Sequence, residues 1–207
     1  MPNRFVVALK FVVFPLCLVP LGILLYQGFT NTLGPDPVAT ITHQTGFWTL
    51  YLLLGSLAIT PVRHLSRHLS WLVRFRRMLG LFAFFYATLH LTTYVWLFSN
   101  FDVSAMAHDV VKRPFITVGF AAWLILLALA ATSTKWSIRK LGGKRWQWLH
   151  RAVYLAATFG VIHYWWIVKT GVRTPWKVTV VLLILLLARV GWSMMESARK
   201  KRIAVPA

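Results

Sequence analysis

Six apolar segments, at about residues 8–27, 42–60, 78–98, 115–134, 148–168 and 176–195, constrain this chain more than any other feature. Each approaches the ~20 residues that a helix needs to cross the hydrocarbon core of a bilayer. The segments predict an all-α, polytopic membrane protein with six transmembrane helices in one bundle, a single domain over residues 1–207. Pro15 and Pro20 in the first segment are tolerable there, because neighbouring groups in a membrane bundle can satisfy the freed backbone. That segment is not followed by an A-x-A cleavage site, so it reads as a retained span rather than a signal peptide. Composition agrees: 58% of residues are hydrophobic and 13% charged, where a soluble domain carries about 25% charged residues.

Lys and Arg number 23 against 4 Asp and Glu, and the basic residues stand in clumps at the ends of the apolar runs. That is the positive-inside pattern rather than one interleaved nucleic-acid surface. The expected counter-charge is the anionic headgroups of the lipid bilayer, and no nucleic-acid partner is expected. Arg4 and Lys10, then Arg63, Arg67, Arg74, Arg76 and Arg77, then Lys135, Arg139, Lys140, Lys144, Arg145 and Arg151, and finally Arg199, Lys200, Lys201 and Arg202 share one side. This side is read as cytoplasmic, which makes both termini cytoplasmic. The other connections hold only Lys112, Arg113, Lys169, Arg173 and Lys177, with Asp36, Asp102 and Asp109. Indole favours headgroup depth. Trp48, Trp96, Trp165, Trp166 and Trp176 accordingly fall toward the outer ends, and Trp136, Trp146, Trp148 and Trp192 toward the inner ends.

Cys17 is the only cysteine, which excludes an internal disulfide, a cysteine-ligated iron-sulfur cluster and a C-x-x-C-H heme attachment. Three histidines lie within the apolar segments: His90 in the third, and His150 and His163 in the fifth. Ionisable groups inside a membrane are candidates for function. Counted from the inner ends, His90 is roughly 18 Å deep and His163 roughly 22 Å, at about 1.5 Å per residue. Two neutral imidazoles at matched depth on neighbouring helices can bind a heme iron from opposite faces. The competing reading gives each histidine a hydrogen bond to Thr88, Thr92 or Tyr164.

His150 lies at the inner edge of the fifth segment. It is 13 residues from His163, which on one ideal helix leaves the two roughly 140° apart. A tilt or a π-bulge would be needed to align them. On the third segment Arg76 and Arg77 stand opposite, suited to neutralising an anionic group of an inner cofactor; the positive-inside pattern explains them equally. His64 and His68 form an i, i+4 pair without carboxylate or thiolate and read as a solvated loop. His108 falls in an outer loop. His43 lies at the outer entrance to the second segment, where it could meet a cofactor, a quinone or a partner.

The runs RFRRMLGLFAFFYATLHLTTYVW (74–96), KRPFITVGFAAWLILLALAATST (112–134) and LGGKRWQWLHRAVYLAATFGVIHYWW (141–166) resemble the ferric-reductase-like transmembrane domain. With GPDPVATITHQTG (34–46) and ITPVRH (59–64), they are similar to the heme-binding membrane subunits of bacterial periplasmic protein-methionine-sulfoxide reductase systems. The resemblance covers nearly the whole chain. It implies a multi-pass protein of the bacterial inner membrane with one or two hemes b. Such a subunit passes electrons from the quinone pool or a cytosolic flavin reductase to a periplasmic molybdenum-containing methionine sulfoxide reductase, which repairs oxidised envelope proteins. His90, His150 and His163 match the family's histidines. Where the wider superfamily has a second histidine on the third helix, Arg76 or Arg77 stands instead, which leaves the inner ligation and the heme count open. Family members are also associated with FMN, for which no binding residue stands out here.

One rival is a self-contained ferric or metal-ion reductase, but no Gly-rich nucleotide fingerprint is present. Another is a transporter, against which stands the lack of any Asp or Glu within the six segments. Asp36, Asp102, Asp109, Lys112, Arg113 and His43 are expected to give a mixed-charge outer surface for transient docking of the partner.

Overall fold

Aspartate and proline set where several helices begin. Asp36 caps α2 (Pro37–Leu65), its carboxylate accepting from the Ala39 N–H at 2.9 Å, and Pro37 fills the first turn, where no N–H is needed. Asp102 caps α4 (Val103–Lys112) in the same way at 2.9 Å. Pro114 opens α5 (Pro114–Ala131). The remaining helices are α1 (Asn3–Phe29), α3 (Arg76–Thr93), α6 (Lys135–Leu141), α7 (Gly143–His150), α8 (Ala152–Ile167) and α9 (Trp176–Ile203). A 3₁₀ stretch, Arg67–Phe75, leads into α3, and a π-turn, Tyr94–Phe98, follows it. The computed structural model describes residues 3–168 and 175–203, and all regular structure among them is helical. Lys169 and Arg173, used above to orient the chain, lie outside the described residues.

Five described stretches are long and apolar enough to cross a membrane: Arg4–Phe29, Pro37–Leu65, His68–Phe98, Pro114–Ala131 and Trp176–Ala198. They carry broad faces of exposed apolar side chains, such as Phe11, Leu16, Ile184 and Leu187, which water would not tolerate over such an area. The protein is an all-helical, multi-pass membrane protein. The expected span at 148–168 takes a different form. The α-helical hydrogen-bond ladder is interrupted at Arg151, which bonds back to Trp148 at 3.1 Å while keeping helical backbone angles, and the 16 residues of α8 reach about 24 Å.

Small residues let the helices approach closely. Ala83 and Ala87 of α3 and Ala156, Ala157 and Val161 of α8 meet Leu50, Leu53, Leu54 and Leu57 of α2, with Leu126 of α5 and Val178 and Leu182 of α9 completing the core. The most extensive packing pairs α2 with α3 and α5 with α8. At the basic end, a second cluster joins Val6 of α1 to Ile59 and Phe75.

The α1 helix is tied to the bundle through a defect of its own. Pro20 loosens the helical ladder, and the buried Tyr86 hydroxyl enters there, donating to the Cys17 carbonyl at 2.8 Å and accepting from the Leu21 N–H at 3.2 Å. Tyr86→Phe strips a partner from both backbone groups in an apolar setting. It should destabilise the protein by about 1–3 kcal/mol, read as a lower melting temperature in detergent; an unchanged melt would remove this role for Tyr86.

Candidate functional site

His90 on α3 and His163 on α8 face each other with ring centroids 5.9 Å apart and planes at 88°. Each ring is anchored by its Nδ1. His90 Nδ1 donates to the Thr42 carbonyl on α2 at 2.9 Å, and His163 Nδ1 donates to the Phe115 carbonyl on α5 at 2.7 Å. A carbonyl only accepts, so these bonds fix the proton on Nδ1 and leave the Nε2 lone pair free. Nε2 of His163 is buried with no hydrogen-bond partner, an arrangement that costs free energy in hydrocarbon unless a ligand uses the nitrogen. Thr88 and Thr92, weighed above as histidine partners, are occupied otherwise: Thr88 accepts from Trp123 Nε1 at 3.1 Å, and Thr92 bonds back to the Thr88 carbonyl at 2.9 Å.

Two glycines make these anchors possible, and the residue reading above passed over both. Each accepting carbonyl lies four residues before a glycine in the same helix, Thr42 before Gly46 and Phe115 before Gly119. The imidazole lies over the turn where a side chain would otherwise stand. A Cβ on Gly119 would be 2.6 Å from His163 Nδ1 and 2.7 Å from its Cε1; one on Gly46 would be 3.2 Å from His90 Cε1. The signal was in the sequence as glycine within an apolar helix, where close approach is the usual reason. Only the fold says what approaches.

His150 ends α7 toward the basic end. Its ring stacks on Trp146 at 3.9 Å, and its Nε2 lies 3.2 Å from Thr132 Oγ1, while Trp146 Nε1 donates to the Thr132 carbonyl at 2.8 Å. The α-helical ladder is interrupted at Arg151, between His150 and His163, though its backbone stays in the right-handed helical region (φ -69°, ψ -22°), so the angle reckoned for one ideal helix holds only approximately; the π-turn follows His90 on α3 instead. His150, Arg76 and Arg77 line one cavity of about 490 Å³, together with Tyr154 and, from α9, Arg189. Nε of Arg76 is buried without a partner. Arg189 was not singled out from the sequence, although it interrupts the last apolar run.

The polar residues at the opposite end have work within the fold. Asp36 and Asp102 are helix caps. Asp109 accepts from the Tyr94 hydroxyl at 3.0 Å and pairs with Arg113 at 3.0 Å, which holds α4 against the end of α3. These acids have local partners, yet Asp36, Asp102, Lys112 and Arg113 stay exposed. His108 lies in α4 rather than in a loop. His64 ends α2 and stacks on Trp192 at 5.0 Å instead of standing in a solvated loop. Among the described residues no group of three or more His, Cys, Asp and Glu is arranged to hold a metal ion.

Apolar helices with buried imidazoles facing one another define a class, and the chain matches the family described as ferric reductase like transmembrane component over residues 45–161, more than half of its length. The match takes in Gly46, His90, Gly119 and His150 and stops just short of His163. A protein of Herminiimonas arsenicoxydans is 50% identical over 95% of this chain and 90% of its own length. One of Ralstonia nicotianae is 44% identical over 99% and 94%. Both are named protein-methionine-sulfoxide reductase heme-binding subunit MsrQ, and the chain belongs to this MsrQ family. The residues fit the group those names imply: two carbonyl-anchored imidazoles, one buried Nε2 without a partner, and glycine clefts that seat the rings.

Proposed function

We propose that this protein is the heme b electron-transfer subunit of a methionine sulfoxide reductase system, with His90 and His163 as the axial pair of one heme. The observation that carries the reading is the pair of imidazoles 5.9 Å apart, both held in the tautomer that frees Nε2. When bound, a heme supplies a one-electron carrier inside the bilayer. The chain's own residues do the rest. The Thr42 and Phe115 carbonyls orient the rings and raise their basicity as ligands, and the apolar core along α8, where Leu50 packs against Gly160, limits water there.

His150, with Arg76 and Arg77, forms a second cofactor site at the basic end, read as cytoplasmic. In this topology α8 is the fifth of six spans, entered through α7, both termini are cytoplasmic, and the protein lies in the bacterial inner membrane. Electrons enter from quinol or a cytosolic flavin reductase, with FMN as a further carrier. They leave at the opposite end to a periplasmic molybdenum-containing reductase that repairs oxidised proteins. The names of the relatives support a heme-binding subunit of a methionine sulfoxide reductase, and the placement of His90 and His163 away from the basic end supports the direction.

The test is reconstitution in membranes with quinol, or with a flavin reductase and NADH, and the purified molybdenum partner. A b-type Soret and α band should appear on reduction and be reoxidised by the partner when methionine sulfoxide is present. A protein without such bands, or turnover that proceeds equally in its absence, would sink the proposal.

A further inference from the structure

Arg189 interrupts the apolar run VTVVLLILLLARVGW of α9, nine residues before the end of the apolar stretch at Ala198, or roughly 14 Å along the helix. Its guanidinium lies 4.8 Å from the centre of the Tyr154 ring on α8, and it lines the same cavity as His150, Arg76, Arg77 and Arg151. The ring holds the cation in place but does not neutralise it. Among the described residues four arginines and no carboxylate line this cavity, Arg76 and Arg189 half-buried and Arg77 and Arg151 exposed, and Arg189 is near enough to Arg76 for the two to repel. The half-buried pair, Arg76 and Arg189, is unfavourable in a medium of low dielectric unless an anion lies between them. The aromatic wall of Trp146 and Tyr154, with the His150 imidazole, suits a flat ring system.

The geometry points to Arg189 as an anion-binding residue of this cavity: from α9 it closes, with Arg76 and Arg77 of α3, on the anionic arm of a planar ring cofactor seated at His150. The arm is a carboxylate or a phosphate, as borne by a heme or a flavin mononucleotide. This assignment rests on the inner cofactor site proposed above. It also gives α9 a function beyond packing, because α9 then completes the site rather than only covering it.

The test uses the full chain purified in detergent, as wild type, Arg189→Gln, Arg189→Lys and His150→Ala. Heme and flavin per chain are measured together with a potentiometric titration. Whichever cofactor His150→Ala removes should also fall in Arg189→Gln by at least half, and what remains should titrate at a lower midpoint, since removing a cation disfavours the reduced form. Arg189→Lys should stay near wild type in both. The heme on His90 and His163 should be retained throughout. Wild-type content and midpoint in Arg189→Gln would overturn the assignment; if His150→Ala still loses cofactor, the inner site survives without Arg189. No loss in either variant would remove the inner site as well. Loss of both hemes alike in Arg189→Gln would show a general packing defect and would equally overturn it.

Discussion

Replacing His163 with glycine is expected to remove most of the b-type, low-spin signal contributed by the His90–His163 site, and added imidazole is expected to restore it. The reasoning begins at the hydrogen bond to Phe115, which holds the ring by Nδ1 and leaves Nε2 buried and unpartnered. A ligand nitrogen prepared in this way contributes mainly by being in place before the iron arrives. His163→Gly leaves room for a free imidazole, because the position opposite is already Gly119. His90→Ala should show the same loss, since a ligand pair fails when either member is removed. The fold should survive both changes, as each only removes a side chain and leaves the leucine and alanine contacts between the helices in place. Heme content is read by absorbance per chain, with insertion checked on the same preparations. Full retention in both variants would end the assignment of this pair.

Gly119→Ala should be nearly as damaging, although it alters no ligand. The new Cβ would stand 2.6 Å from His163 Nδ1 and 2.7 Å from Cε1, closer than any real contact, so the ring must leave its anchor on Phe115. The side chain cannot simply swing into free space, because α5 and α8 pack closely around it. Loss of more than half of the axial-pair heme, with normal expression, is the expected result. Gly46→Ala places its Cβ 3.2 Å from His90 Cε1, which a shift of a few tenths of an ångström relieves, so it should retain most heme with a displaced α band. The order of the two variants is the informative part. Equal, wild-type heme content in both would show that the glycine clefts do not seat the rings.

Gly160→Ala separates this effect from ordinary crowding. Its Cβ would meet Leu50 Cδ2 at 2.9 Å, but that atom is the end of a flexible side chain and can turn aside. The same small-residue change, made on α8 itself, should therefore leave heme content largely intact.

How much of this could be read from the chain alone follows from what hydropathy encodes. Apolar length and the placement of Lys and Arg are local properties, and they were enough to define a multi-pass helical protein, because a bilayer admits few alternatives. They also singled out His90, His150 and His163, since an ionisable group in an apolar run stands out without any fold. The runs that resemble the ferric-reductase-like domain were legible for the same reason. Hydropathy could not place the interruption at Arg151, because which backbone hydrogen bonds close around one residue is not a property of its apolarity; the polar α7 and the apolar α8 meet there.

Only the tertiary structure decided what the histidines touch. The carbonyls of Thr42 and Phe115 lie 48 residues from the rings they hold, and no local pattern marks a backbone oxygen as a partner. Gly46 and Gly119 gain meaning only when an imidazole is seen against them. Arg189 joins Arg76 and Arg77 only because α9 returns to the cavity beside α8. The sequence by itself determined which groups must be buried in the membrane, because burial follows from composition along each helix. Which groups meet there depends on how helices distant in the chain pack side by side, and that is set by the small residues and leucines between them.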